Sequence, residues 1–180
     1  VNLCIDFLEN RTDKKTVDLC SGSGAIAVAL DKISGAKVTA VEIDETAFSY
    51  LETNVKENNS SVKPVMADAL EICDTFADGE LDLIVSNPPY IKSADIETLQ
   101  KEVQLEPRLA LDGGEDGCDF YREIVSRWSR KLKKGGALAF ELGENQADAV
   151  KALMAEQGFS DFKISLDFGG VQRAIIGTLL

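Results

Sequence analysis

Short hydrophobic runs and amphipathic stretches alternate along most of the chain. The runs have the length and the β-branched content of buried strands, while the stretches between them carry apolar residues at helical spacing. We predict strands at residues 15–20, 36–43, 62–67, 81–86, 137–142, 162–166 and 173–180. We predict helices at residues 25–33, from Asp44 or Thr46 to Asn58, at 120–132 and at 146–157.

The order of these elements predicts the topology. Strands separated by helices form right-handed βαβ units and therefore a parallel sheet. Gly135-Gly136 is predicted to turn into the fifth strand, and Gly169-Gly170 to join the last two strands as an antiparallel hairpin. We therefore predict an α/β fold with a mostly parallel, seven-stranded sheet, a C-terminal antiparallel hairpin and helices on both faces. Residues 91–119 follow no regular pattern, which is typical of a functional loop.

The composition excludes several kinds of chemistry. The chain has no histidine, which excludes Ser-His and Cys-His nucleophile pairs within it. Its four cysteines form no Cys-x-x-Cys pair, so we predict no metal site, no disulfides and a reducing, cytoplasmic location. A net charge of −12 argues against extensive contact with nucleic acid. No apolar run has the roughly 20 residues that a membrane helix needs.

A glycine-rich turn and three acids predict a nucleotide-like ligand. Gly22 and Gly24 follow the first strand, which ends near Asp18, and this is where open α/β sheets bind nucleotides. Glu42 ends the second strand at a spacing that suits a carboxylate accepting both hydroxyls of a ribose. Asp68 follows the third strand, where it can accept from an adenine amine. The alternative is that Asp18 caps a helix and that Glu42 and Asp68 are solvated loop acids.

The glycine turn departs from the dinucleotide pattern. Gly-x-Gly-x-x-Gly requires a third glycine where this chain has Ala27, and Cys20 occupies the place of a possible earlier glycine. A cofactor without a pyrophosphate therefore fits better, since no phosphate then needs the N-terminus of the helix. S-adenosylmethionine is a cofactor of this kind.

The tetrad Asn87-Pro88-Pro89-Tyr90 directly follows the fourth predicted strand. Two prolines in series fix the backbone and remove two N–H donors. Asn87 adds an amide that both donates and accepts, and Tyr90 adds a flat ring for stacking. This chemistry suits the binding of a planar NH₂ group, although a strand that simply ends in a proline turn is the alternative.

The motifs together resemble a known family. The glycine turn resembles that of class I, Rossmann-like, S-adenosylmethionine-dependent methyltransferases, and the tetrad resembles those that methylate amino groups conjugated to a π system. The stretch at residues 105–117, followed by Asp119-Phe-Tyr-Arg122, is similar to the HemK/PrmC family. These are N5-glutamine methyltransferases of peptide-chain release factors. Within this stretch we assign no chemical role to Glu106 and Arg108. The alternative to a functional role is that both residues form salt bridges within the loop.

The resemblance implies an activity and a set of site residues. It implies methyl transfer from S-adenosylmethionine to the glutamine amide in the Gly-Gly-Gln motif of a release factor. The implied catalytic residues are Asn87, Pro88, Pro89 and Tyr90. The implied cofactor-binding residues are Asp18, Cys20, Gly22, Gly24, Glu42, Ile43, Asp68, Ala69 and Asn87.

The resemblance also implies a domain organisation and a competing function. Family members carry an N-terminal substrate-recognition domain, which we expect to be absent here, so that residues 1–180 form one catalytic domain. We expect a monomer that binds no membrane and no nucleic acid. The alternative function is adenine-N6 methylation of DNA or RNA, which uses the same tetrad on a flipped base.

Overall fold

A computed structural model describes all 180 residues, from Val1 to Leu180. The strands are β1 Lys15–Leu19, β2 Lys37–Glu42, β3 Lys63–Met66, β4 Leu81–Ser86, β5 Leu132–Glu141, β6 Phe159–Leu166 and β7 Gln172–Leu179. The α-helices are α1 Asn2–Leu8, α2 Ala25–Ser34, α3 Glu45–Glu57, α4 Arg108–Leu111, α5 Asp119–Trp128 and α6 Ala147–Glu156. Short 3₁₀ helices lie at Ile72–Thr75, Ile96–Thr98, Val103–Leu105 and Ser129–Lys131. None of the helices is long and apolar enough to cross a membrane.

The seven strands form one mixed sheet in the order β3-β2-β1-β4-β5-β7-β6. Strands β1 to β5 are parallel to one another, and β7 is antiparallel to both β5 and β6. The predicted α/β fold with a terminal antiparallel hairpin is therefore confirmed. The order of the strands reverses between β1 and β4, and open α/β sheets bind their ligands at such a point.

Helices cover both faces of the sheet, as predicted. On one face α1, α2 and α3 pack against the sheet, and Leu30 and Leu51 are among the buried residues. On the other face α5 and α6 surround a larger cluster that contains Trp128, Tyr121 and Phe140. The rings of Tyr121 and Phe140 meet edge to face with their centroids 5.1 Å apart, which is a favourable aromatic geometry.

The predicted turn at Gly135-Gly136 is wrong, because both glycines lie within β5. In the pairing of β4 with β5, Leu81 lies opposite Leu132, and Leu83 lies opposite Ala137. An advance of two residues along β4 therefore corresponds to an advance of five residues along β5. The extra residues of β5 bulge out of the ladder, as in other irregular pairs of strands. The strand therefore begins before the glycines and resumes regular pairing after them.

A buried carboxylate at the amino edge of the sheet provides a test of stability. Asp82 accepts hydrogen bonds from Lys133 Nζ at 2.8 Å, the Lys15 N–H at 3.1 Å and Arg11 Nη1 at 3.3 Å. We expect Asp82→Ala to lower the free energy of unfolding by about 2–4 kcal/mol, because three donors lose their acceptor. Denaturant titration measures this, with exposed Asp6→Ala on α1 as the control. A loss no larger than that of the control would contradict the prediction.

Candidate active site

The turns that follow β1 and β4 lie side by side at the carboxyl edge of the sheet. Leu19, the last residue of β1, is the register partner of Ser86, the last residue of β4. The Ser86 hydroxyl also donates a hydrogen bond to the Leu19 carbonyl at 2.8 Å. The glycine turn and the tetrad that begins at Asn87 are therefore neighbours, although they are far apart in the chain.

A cavity of about 720 Å³ opens at these turns. Its lining contains four acidic side chains and no lysine or arginine. The acids are Glu42, Asp44, Asp68 and Glu106. Such a lining attracts a cation and repels phosphate groups. The cavity therefore suits a positively charged organic ligand better than a dinucleotide, in agreement with the departure of the glycine turn from the dinucleotide pattern.

Glu42 connects the glycine turn to the end of β2. Its side chain is almost fully buried, and Oε2 accepts the N–H of Gly22 at 2.7 Å. Oε1 accepts the N–H groups of Ile43 at 2.9 Å and Asp44 at 2.8 Å. Because each carboxylate oxygen has two acceptor positions, one position on Oε2 stays free. Glu42 is thus a rigid acceptor that can take one further hydrogen bond, and not the two from a ribose that its spacing suggested.

The glycine turn brings two helices together. Gly24 precedes α2 with a φ of 80°, and a Cβ at this position would overlap Leu51 Cδ1 of α3. A larger residue here would have to displace the Leu51 side chain and would be strained by the positive φ. The first residues of α2 and α3 line the cavity, so Gly24 lets Leu51 of α3 pack against the start of α2 beside it.

Asp18 lies directly behind the glycine turn and is completely buried. Neither of its carboxyl oxygens has a hydrogen-bond partner in the protein, and the same is true of the Ser21 hydroxyl. Burial raises the pKa of Asp18 to about 7. A weak interaction with the Ala27 N–H lowers this pKa, and the nearby Glu42 carboxylate raises it further. Unpaired buried oxygens beside a cavity are acceptors that a bound ligand can satisfy.

This burial predicts a dependence of stability on pH. The pKa of Asp18 is 3.8 for the ordinary carboxyl and about 7 in the fold, so the folded chain binds a proton more tightly than the unfolded chain. The stability that the neutral carboxyl contributes is present below about pH 4 and is lost as the pH rises to about 7. Over this pH range we expect the free energy of unfolding of wild type to fall by up to about 4 kcal/mol relative to that of Asp18→Asn. Denaturant titrations at several pH values measure the difference, and a difference that is independent of pH would contradict the prediction.

The loop after β3 is anchored from the core. Asp68 Oδ1 accepts the N–H of Leu70 at 2.7 Å, and the indole N–H of Trp128 donates to the Ala69 carbonyl at 2.9 Å. Trp128 is fully buried, and its ring lies 5.1 Å from that of Phe76. Trp128 belongs to the core cluster on this face of the sheet. In the structure it also positions the loop that carries Asp68 and Ala69.

The tetrad presents one free amide side chain to the cavity. Asn87 is exposed, whereas Pro88 and Pro89 are buried. The Tyr90 hydroxyl donates to Glu141 Oε1 at 3.3 Å. Burial and the Glu141 carboxylate raise the pKa of Tyr90, so the phenol stays protonated. The backbone around Asn87 is therefore held by two prolines and by an anchored tyrosine.

Most of the site residues predicted from the sequence meet at this cavity. Those that line it are Cys20, Gly22, Glu42, Ile43, Asp68, Ala69, Asn87 and Pro89. Four others lie outside the lining, namely Asp18, Gly24, Pro88 and Tyr90. Burial raises the pKa of Cys20 to about 12, so its thiol is a neutral wall group. The individual roles of these residues stay predictions.

An apolar wall of the cavity comes from the irregular loop and the start of α5, and its members were not predicted. Its members are Leu105, Pro107, Leu109, Ala110 and Phe120. Leu105 is 86% exposed and Leu109 is 52% exposed. The sequence did contain a signal for this surface, because exposed leucines in a strongly charged stretch are typical of a binding surface. Glu106 lies in the same wall, whereas Arg108 pairs with Asp112 at 2.9 Å, as the salt-bridge alternative predicted.

Comparison with known sequences identifies relatives of the chain. The family model of the methyltransferase small domain matches residues 1–115. A release factor glutamine methyltransferase from Geobacter sulfurreducens is 42% identical over 165 residues, which cover 91% of this chain and 57% of that protein. A second, from Clostridium acetobutylicum, is 35% identical over 181 residues, which cover 98% of this chain and 63% of that protein. The chain spans about three-fifths of the length of these curated relatives.

Comparison with solved structures supports the fold. The crystal structure of a methyltransferase from Pyrococcus furiosus matches with a TM-score of 0.72 and 24% identity, covering 96% of this chain and 79% of that one. The predicted class I methyltransferase fold is thereby confirmed. The curated relatives also carry the family name to which the tetrad and residues 105–117 pointed. Because the family model matches more than half of its residues, the chain belongs to the methyltransferase small domain family.

Proposed function

We propose that this chain is the methyl-transferring part of a protein-(glutamine-N5) methyltransferase. Its substrate is the glutamine side chain in the Gly-Gly-Gln motif of a peptide-chain release factor. The observation that carries the proposal is the exposed amide of Asn87, held at the wall of an acidic cavity beside the glycine turn. Two relatives that are 42% and 35% identical are release factor glutamine methyltransferases, which supports this substrate over others.

S-adenosylmethionine is the cofactor that fits the cavity best. It supplies an electrophilic methyl group on a positively charged sulfur, and the cavity lining carries four acids and no basic side chain. The buried oxygens of Asp18 lack a protein partner and suit an ammonium group. Glu42 keeps one free acceptor position for a ribose hydroxyl, and the anchored loop with Asp68 and Ala69 suits an adenine.

Asn87 is the residue that we assign to the methyl acceptor. An amide nitrogen is a weak nucleophile, because its lone pair is delocalised into the carbonyl. The Asn87 side-chain oxygen and the Pro88 carbonyl accept the two N–H bonds of the substrate and hold the nitrogen in line for transfer. Tyr90 packs beside the amide plane. The nitrogen releases its proton to water, so the site needs no strong base, in keeping with a chain that has no histidine.

Adenine-N6 methylation is the competing function, since the same tetrad suits a flipped base. A nucleic-acid enzyme needs a basic channel that neutralises phosphates. The net charge of −12 and the acidic lining of the cavity oppose such a channel. We therefore propose a protein substrate and no direct binding of nucleic acid by these residues.

Three further parts of the proposal concern the whole protein. We assign residues 1–180 to a single catalytic domain, because all seven strands belong to one sheet with a core on each face. We expect this domain to act as a monomer. The four cysteines are all free, which agrees with a cytoplasmic location.

Transfer of a labelled methyl group tests this function against its competitor. The full-length protein is incubated with methyl-labelled S-adenosylmethionine and, in parallel, with intact release factor, adenine-containing DNA or adenine-containing RNA. We expect label in the release factor and background counts in both nucleic acids. Label in DNA or RNA with none in the release factor would overturn the proposal in favour of adenine methylation.

A further inference from the structure

Gln146 connects the tetrad to three other parts of the fold. It is the residue before α6, and its Nε2 donates to the Tyr90 carbonyl at 2.9 Å and to the Gly117 carbonyl at 3.2 Å. Its Oε1 accepts the Gly143 N–H at 2.9 Å and lies 3.2 Å from the Tyr121 hydroxyl. Both donor positions of one side-chain amide and at least one of its acceptor positions are therefore used.

The contacts of Gln146 require an amide. Two carbonyls face its nitrogen, and an N–H group faces its oxygen, so the two ends of the amide are not interchangeable. The single proton of the Tyr121 hydroxyl lies between the Glu141 carbonyl at 2.8 Å and Gln146 Oε1 at 3.2 Å. A carboxylate in the same place would set an oxygen against two carbonyl oxygens, which is repulsive.

The space around this amide is closed by glycines. A Cβ on Gly117 would lie 2.5 Å from the Tyr90 carbonyl oxygen and 2.7 Å from Gln146 Nε2. A Cβ on Gly143 would lie 2.5 Å from Gln146 Oε1 and 3.0 Å from Tyr90 Cδ2. The Gln146 amide therefore packs at contact distance against the backbone and the ring of Tyr90. This close packing holds the three groups in one arrangement.

We infer that Gln146 is a positioning residue that fixes the tetrad and thereby aims Asn87 at the methyl acceptor. Gln146 does not line the cavity, so it acts through the Tyr90 carbonyl at the end of the tetrad. The loop beyond Tyr90 depends on the same anchor, because Ile91, the next residue, donates its N–H to the Leu111 carbonyl and accepts the N–H of Gly113. The inference about turnover rests on the proposed function, whereas the inference about the backbone does not.

Hydrogen exchange of the free protein tests the structural part without cofactor or acceptor. The Ile91 N–H donates to the Leu111 carbonyl at 2.9 Å, and the Gly113 N–H donates to the Ile91 carbonyl at 2.8 Å. We expect Gln146→Ala to accelerate exchange at both amides at least about tenfold, while the amides of β1 and β2 exchange as in wild type. The control is Gln157→Ala at the exposed end of α6, which we expect to leave both amides unchanged.

The variant Gln146→Glu provides a second test at nearly constant volume. It keeps an oxygen for the Gly143 N–H but loses the donor for the Tyr90 carbonyl, so we expect the same accelerated exchange if Gln146→Ala folds poorly. Unchanged exchange at Ile91 and Gly113 in a folded variant would overturn the inference. Unfolding of both variants would also overturn it, because it would make Gln146 a residue of general stability.

Kinetics then connects the anchor to catalysis. With saturating cofactor and release factor, we expect Gln146→Ala to lower kcat about 30- to 100-fold, because a displacement of about 1 Å at a reacting group has effects of this size. The Kd of S-adenosylmethionine should stay within about twofold of wild type, since Gln146 is outside the cavity. Accelerated exchange with unchanged kcat would refute the catalytic part alone. Absence of methyl transfer in wild type would refute the proposed function and leave the exchange result standing.

Discussion

Replacing Asn87 by alanine will lower the rate of methyl transfer by about 10²- to 10³-fold, the effect that loss of one preorganised hydrogen-bonding group has in other enzymes. Asn87 is the exposed polar member of the tetrad, and it lines the cavity beside Pro89. The variant loses the acceptor that we propose for the substrate amide, but it keeps the glycine turn, Glu42 and the loop with Asp68. The Kd of S-adenosylmethionine should therefore change by no more than about threefold.

The control for this experiment is Asn10→Ala. Asn10 is exposed and precedes β1, so it lies at the amino edge of the sheet, opposite the cavity. We expect wild-type kcat and wild-type cofactor affinity for this variant. Turnover of Asn87→Ala equal to that of the control would show that Asn87 does not orient the acceptor. A loss of cofactor affinity as large as the loss of turnover would place Asn87 in the cofactor site instead.

Replacing Glu42 by alanine will raise the Kd of S-adenosylmethionine by about 100-fold, which corresponds to about 2.7 kcal/mol. The carboxylate holds the backbone N–H groups of Gly22, Ile43 and Asp44. Its loss removes the acceptor that we propose for the ribose and also frees the glycine turn that forms the adjacent wall. Glu42→Gln keeps one oxygen acceptor, so we expect a smaller rise, of about tenfold.

Calorimetric titration of the cofactor measures this effect, and Glu45→Ala is its matched control. Glu45 is the exposed first residue of α3, three positions along the chain from Glu42. We expect wild-type affinity for the control variant. If folded Glu42→Ala bound the cofactor as tightly as Glu45→Ala, the assignment of Glu42 to the ribose would be wrong.

A strand with a continuous apolar run and a clear end signal was predicted well from the sequence. Strand Leu81–Ser86 was predicted to the residue, because a continuous apolar run is followed by two prolines that cannot extend a ladder. Helix Asn2–Leu8 was not predicted. Its sequence is short and of mixed polarity, and the helix is held by the burial of Cys4 and Leu8 against the core. Tertiary packing of this kind leaves little trace in local periodicity.

The candidate site was predicted where its residues follow strands. Glu42 and Asn87 could be predicted, because strand ends at one edge of a parallel sheet converge. Leu105 and Gln146 were not assigned to the site. Leu105 reaches the cavity through an irregular loop, and Gln146 acts across long separations in the chain, on Tyr90 and Gly117. Such contacts depend on how loops fold back on the sheet, which no spacing in the sequence specifies.

The position of the transferred methyl group tests the central claim most directly. The full-length protein is incubated with S-adenosylmethionine and intact release factor, and the peptides of the product are then sequenced by tandem mass spectrometry. We predict one added methyl group on the side-chain amide of the glutamine in the Gly-Gly-Gln motif, and no methylation of a release factor in which this glutamine is replaced by alanine. A methyl group on any other residue, or unchanged methylation of the substituted release factor, would contradict the account.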